Sequence, residues 1–164
     1  MLASAHAYQF LARASGGVTF WTNAASTVGA TLAAGSGTWA SASDRNLKTD
    51  VVRLDDAAVL AKVDQLPIDR WSYKSERGVR HVGPMAQDFY AAFGVGADDK
   101  HITSIDEDGV ALAAIKALHA ENAQLRAGQQ SLRARLAAMT ALQSQQARDV
   151  ARLSAAVASL RSQR

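Results

Sequence analysis

From residue 115 to the end of the chain, one register recurs every seven residues: Leu118, Leu125, Leu132, Met139, Gln146, Leu153 and Leu160. Three residues before each stands a second series, Ile115, Asn122, Gln129, Leu136, Gln143, Val150 and Val157. A heptad with mostly apolar a and d positions is satisfied only when one helix seam packs against another. The last third is therefore expected to be a long helix in a coiled coil. Polar Asn122, Gln129 and Gln143 at a positions fix register and strand number at some cost in stability. The pattern alone leaves the number of strands open.

Composition points to assembly as well. The chain has 164 residues, enough for one domain or a small domain with an extended appendage, and 48% of them are hydrophobic. Alanine supplies much of that fraction and aromatics only 6%. Small side chains suit thin packing between chains better than one large globular core. The sequence contains no cysteine, which excludes disulfides and thiolate metal sites. Met1 to Ala7 lacks a basic region followed by a long apolar stretch, and Lys116 interrupts the apolar run near Ala111. Neither a signal peptide nor a membrane span is expected.

A net charge of +3 is too small to imply a nucleic-acid partner. Beyond Arg126, Arg133, Arg135, Arg148, Arg152, Arg161 and Arg164 face the single acid Asp149, which raises an acidic polymer as a partner. The arginines occupy several heptad positions rather than one stripe, so solvated flanks are the preferred reading. His6, His81, His101 and His119 lack ligand spacing, and no metal or other cofactor is expected. Asp106-Glu107-Asp108-Gly109 lacks the alternating ligands of a calcium loop and reads as a turn before a helix. Gly94-Val95-Gly96 is a loop without a nucleotide fingerprint.

Between Tyr8 and Trp39, three β-like pieces (8–11, 18–21 and 28–32) are separated by Gly16-Gly17, Asn23 and Gly35-Ser36-Gly37. They are too few to close a stable domain and read as the end of a longer β-rich stem. From Asp55 or Asp56, a short helix with Ala57, Leu60, Val63 and Leu66 as its apolar face runs to Pro67. A hairpin is expected from 68–73 and 79–82 around Ser75-Glu76-Arg77-Gly78. A helix over 86–93 closed by Gly94, then a strand over 101–105, complete the middle segment. The fold class is α+β, divided as 1–42 stem end, 43–110 mixed α/β core and 111–164 coiled-coil helix.

At the junction of stem and core stands Ser43-Asp44-Arg45-Asn46-Leu47-Lys48. A serine hydroxyl is a poor nucleophile until a base takes its proton, and a lysine can be that base once burial favours its neutral form. Residues five apart lie roughly 140° apart around a helix and on opposite faces of a strand. Ser43 and Lys48 can therefore meet only through a turn or across a subunit boundary. The plain alternative is that Ser43 or Asp44 caps a short helix and Lys48 is a solvated charge.

Ser43-Asp44-Arg45-x-x-Lys48, His81-Val82-Gly83-Pro84-Met85-Ala86-Gln87-Asp88, and Ala113-Ala114-Ile115-Lys116-Ala117-Leu118 occur in this order. Together they resemble the C-terminal intramolecular chaperone, or peptidase S74, domain of phage endosialidases, tailspikes and tail fibres, over roughly 40–125. Pro84 departs from the large apolar residue more usual in that motif. The resemblance implies a homotrimer whose C-terminal domains bring an upstream fibre or stem segment, their folding client, into register. It implies release by a single self-cleavage in cis on the amino side of the motif serine. The scissile bond would be Ala42-Ser43, with Ser43 as nucleophile and Lys48 as base. Asp44 would orient the Ser43 loop or hold Lys48, and Arg45, His81, Gly83 and Gln87 would support the cleavage loop. Virion assembly in a bacterial host cytoplasm, phage- or prophage-encoded, is the implied setting.

Two functions from different classes follow: a self-cleaving assembly chaperone, and a structural trimerisation cap that never cuts. The intact Ser43/Lys48 pair favours the first. A hydrolase acting on other molecules is disfavoured, because no oxyanion-hole motif or substrate pocket is recognisable.

Overall fold

The computed structural model describes residues 7–162; His6 and Arg164 lie outside them. The chain divides into two compact units, 1–53 and 54–164.

The first unit holds one three-stranded antiparallel sheet in the order β1 (Gly17–Trp21), β2 (Gly29–Ala33), β3 (Trp39–Ser41). Val18 pairs with Leu32, Phe20 with Ala30 and Leu32 with Trp39, so these side chains share one face. Phe20 stacks on Trp39 with centroids 5.7 Å apart, and both rings remain exposed. The other face carries a cross-strand hydroxyl pair, Thr19 and Thr31, at 3.2 Å. The β1–β2 loop is tied by Asn23, whose Oδ1 accepts from the backbone N–H groups of Thr27 and Val28. Strands were expected over 18–21 and 28–32, where β1 and β2 stand. The expected strand over 8–11 does not form, and Tyr8 adopts φ 61, outside the extended region a strand requires. Trp39–Ser41 supplies the third strand instead.

The second unit begins with α1 (Asp56–Gln65), whose N-cap Asp55 accepts from the N–H groups of Ala57 and Ala58. Val59 is buried, while Leu60, Val63 and Leu66 are half-buried. Three of the four expected face residues are thus partly covered, Ala57 is exposed, and Asp56 meets Lys116 at 2.6 Å. The hairpin forms from β4 (Asp69–Trp71) and β5 (His81–Gly83), pairing Trp71 with His81. Next comes α2 (Ala86–Phe93), closed by Gly94 at φ 63, whose N–H bonds to the Tyr90 carbonyl.

The helix α3 (Ser104–Ser162) has 59 residues and spans about 88 Å at 1.5 Å per residue. Its start corrects two expectations. No strand forms over 101–105, because the His101 backbone N–H is taken by the Asp98 side chain. Thr103 and Asp106 cap each other: Thr103 Oγ1 donates to Asp106 Oδ2 and accepts from the Asp106 N–H. Asp106 to Gly109 is therefore the first helical turn rather than a separate turn before the helix. The buried core of this unit is Val59 of α1, Phe89 of α2 and Ala113, Ala114 and Ala117 of α3, and α1 packs mainly against α3. Small alanines permit that close approach. Lys62 of α1 reaches over the Phe93 ring of α2 at 6.0 Å. The heptad residues of α3 stay uncovered: Leu125, Leu132 and Leu153 are 66%, 63% and 66% exposed.

Candidate functional site

Ser43 and Lys48 meet through the backbone between them. Strand β3 continues one residue beyond Ser41, because the Ala42 N–H donates to the Gly29 carbonyl of β2 at 3.1 Å. Ala42 is thereby held on the sheet, and the chain leaves it at Ser43. Asp44 then caps a single 3-10 turn over Arg45–Leu47, accepting on Oδ1 from the backbone N–H of Asn46 at 2.9 Å. Its backbone carbonyl receives the Leu47 N–H, and the Arg45 carbonyl receives that of Lys48. This turn reverses the chain far enough for Lys48 Nζ to donate to Ser43 Oγ at 2.8 Å.

That contact lies within proton-transfer reach for a general base and its nucleophile. Both side chains are exposed in the single chain. The contact lies within one polypeptide, so of the two routes by which the pair could meet, the turn is the one observed. Asp44 sits where an orienting residue is useful: its carboxylate organises the turn and bonds to Asn46, not to Lys48. Arg45 forms the first residue of the 3-10 turn and is exposed. Beside the Ala42-Ser43 bond runs an open groove lined by Trp21, Thr27, Gly29 and Leu47 among others.

The second motif belongs to the second unit. His81 and Gly83 bound β5, and Gln87 lies exposed in the first turn of α2. The His81 ring stacks on Trp71 with centroids 4.7 Å apart and meets Tyr73 edge-on at 5.6 Å. Its Nε2 lies 3.4 Å from Glu76 Oε2 in the hairpin turn. Burial hides the Trp71 indole nitrogen, which has no hydrogen-bond partner among the described residues. A cavity bordered by Trp71, Tyr73, Gly83, Gln87, Lys100 and Glu107 opens beside this cluster.

Sequence reasoning did not single out Gly29, Asn46, Trp71 or Glu76. For Trp71 the signal was inexact, since folding the expected hairpin symmetrically about 75–78 sets it opposite Val82, and the observed register brings it to His81 instead. For Asn46 the signal was its place two residues after a capping Asp, where its N–H meets the cap oxygen. Gly29 had no local signal; its proximity to Ala42 exists only through the sheet.

Among the described residues, no group of three or more His, Cys, Asp or Glu side chains could hold a metal ion. No described helix is long and apolar enough to cross a membrane. Among the described residues, the Asp98 carboxyl is held below the usual aspartate value. The Lys100 backbone N–H is the first cause and the His101 side chain the second.

Comparison with curated proteins and with solved structures gave no match. Comparison with protein families matched Peptidase_S74, described as chaperone of endosialidase, at residues 43–95, the expected family, over a segment that holds both the Ser43–Lys48 and the His81–Gln87 motifs.

Proposed function

We propose that this chain is a C-terminal intramolecular chaperone that trimerises a phage fibre or tailspike-type protein and then releases itself by cutting Ala42-Ser43. The family match supports the chaperone role and a fibre or enzyme client. The observation that carries self-cleavage is the 2.8 Å contact between Lys48 Nζ and Ser43 Oγ, immediately after the bond to be cut.

In this reading the neutral Lys48 amine takes the Ser43 hydroxyl proton while Oγ attacks the Ala42 carbonyl carbon. The tetrahedral adduct collapses with loss of the carbon–nitrogen bond, and the proton passes to the departing Ser43 nitrogen. The acyl group then rests on Oγ as an ester. Water hydrolyses that ester, leaving an Ala42 carboxylate and a chain beginning at Ser43. A nucleophile placed on the bond it cuts needs no substrate binding, so positioning supplies most of the rate. Solvent contact favours the charged ammonium, and desolvation on assembly would favour the neutral amine that the step requires. Asp44, Arg45, His81, Gly83 and Gln87 are proposed as supporting residues whose substitution slows cleavage.

The trimer is supported by the exposed heptad seam of α3, since the partner-facing side chains are uncovered while α1 occupies a different, alanine-lined face. That observation holds equally for a trimerisation cap that never cuts. Cleavage after assembly would make folding irreversible and confer kinetic stability on the client. Expression during virion assembly in the bacterial host cytoplasm follows from the same reading.

Intact mass and solution size of the wild type, Ser43→Ala and Lys48→Ala decide between the two. Self-cleavage predicts a fragment starting at Ser43 from the wild type alone, with both variants whole and trimeric. A folded, trimeric and uncut wild type overturns self-cleavage and leaves the cap. A monomeric chain overturns the trimer.

A further inference from the structure

Lys48 has a competing partner close by. Asp44 lies four residues before it, at the other end of the same 3-10 turn, and a carboxylate is a stronger acceptor for an ammonium than a hydroxyl. Yet Lys48 bonds to Ser43, while Asp44 Oδ1 is occupied twice by Asn46, by the backbone N–H at 2.9 Å and by side-chain Nδ2 at 3.0 Å. The backbone donor is available to any residue at 46, but only the amide side chain supplies the second hydrogen bond.

We propose that Asn46 is a positioning residue for self-cleavage: its side-chain amide holds the Asp44 carboxylate in the cap and keeps it from pairing with Lys48. This rests on the reading of Lys48 as base. A carboxylate against Lys48 would stabilise the ammonium and withdraw it from Ser43, so cleavage would require more alkaline conditions. Few other charges can blur the effect. The charged residues of the described part of this unit are Arg13, Asp44, Arg45, Lys48, Asp50 and Arg53, and β1, β2 and β3 carry none. Asp50 accepts from the Thr49 hydroxyl at 2.8 Å.

The test is the pH dependence of the cleavage rate in the full chain for wild type, Asn46→Ala, and the double variant Asp44→Asn/Asn46→Ala, with solution size as the folding control. Asparagine caps as well as aspartate does but brings no charge. For Asn46→Ala the profile should move up by about one pH unit, the low end for a nearby charge at an exposed site, with about tenfold slower cleavage at neutral pH. The double variant should return the midpoint of the profile to its wild-type pH, at a rate lowered by the loss of Asp44. An unchanged midpoint in Asn46→Ala, or a raised midpoint that the double variant does not restore, overturns the positioning role while leaving the dyad standing. A wild type that stays whole at every pH overturns the dyad itself, and this role with it.

Discussion

Lys116 of α3 closes on Asp56 of α1 at 2.6 Å, and the same two packed helices bury Val59 of α1 and Ala113, Ala114 and Ala117 of α3. The two contacts differ sharply in energetic weight. Lys116 is 65% exposed, so its ion pair is screened and Lys116→Ala should cost under about 1 kcal/mol. Val59→Ala removes two buried methyl groups and should cost about 2 kcal/mol. Ala117→Leu, which forces volume between the helices, should cost about 1–3 kcal/mol. Denaturant unfolding of the three variants checks this order; an ion-pair variant as damaging as the core variants would contradict it.

Gly29 serves two neighbours at once. Its carbonyl receives the Ala42 N–H, and a Cβ at this position would stand 2.0 Å from the Phe20 carbonyl oxygen. Gly29→Ala must therefore separate β1 from β2 and shift the strand that anchors Ala42. Cleavage of Gly29→Ala, followed by intact mass, should slow at least tenfold, since misplacement of about 1 Å can cost on the order of 100-fold. Gly35→Ser, at a turn with open space around it, provides the contrast: strained locally by its φ of 73, it should leave cleavage at the wild-type rate.

The α3 seam predicts the outcome of charge placed at d positions. If the proposed assembly forms through this seam, Leu132→Glu should lower the oligomeric state or weaken association markedly at micromolar protein, read by sedimentation velocity, because like charges from the associating helices would meet in an apolar layer. Asn122→Leu should act oppositely. It removes a polar a residue, whose side chain now bonds back to the Leu118 carbonyl at 2.8 Å, and should raise the melting temperature while loosening strand-number specificity.

Asp98 gives a pH dependence with a defined sign. Its carboxyl is lowered first by the Lys100 N–H and then by the His101 side chain, so the folded state favours the carboxylate. A depressed folded value contributes stability above the ordinary carboxylate range and loses it as pH falls through the folded value. The contribution should be complete at neutral pH and fade below about pH 4. Carboxyl titration by NMR should place Asp98 below the ordinary aspartate value, and Asp98→Asn should flatten the acid dependence of the 98–101 loop.

Periodicity and local chemistry made much of this protein legible in advance. The long helix, the α1 cap at Asp55, the hairpin around 75–78 and the Gly94 stop depend on residues a few positions apart, and neighbouring side chains decide them. The Ser43–Lys48 turn was open to the same reasoning because five residues separate its ends. The start of α3 differs from the expected strand over 101–105 and turn at Asp106 to Gly109, although Thr103-x-x-Asp106 is itself a local capping pattern.

Other features needed the folded chain. The face of α1 that turns inward is set by Lys116 and the alanines of α3, residues far along the sequence. The strand at 39–41 exists because β2 offers an unpaired edge, and Ala42 is held because that edge continues to Gly29. Trp71 lies on His81 through hairpin register. Local sequence determined which segments could be helix, turn or strand, since those preferences are short-ranged. Tertiary structure alone decided which edges, faces and carbonyls those segments meet, because such partners come together only when distant parts of the chain close on one another.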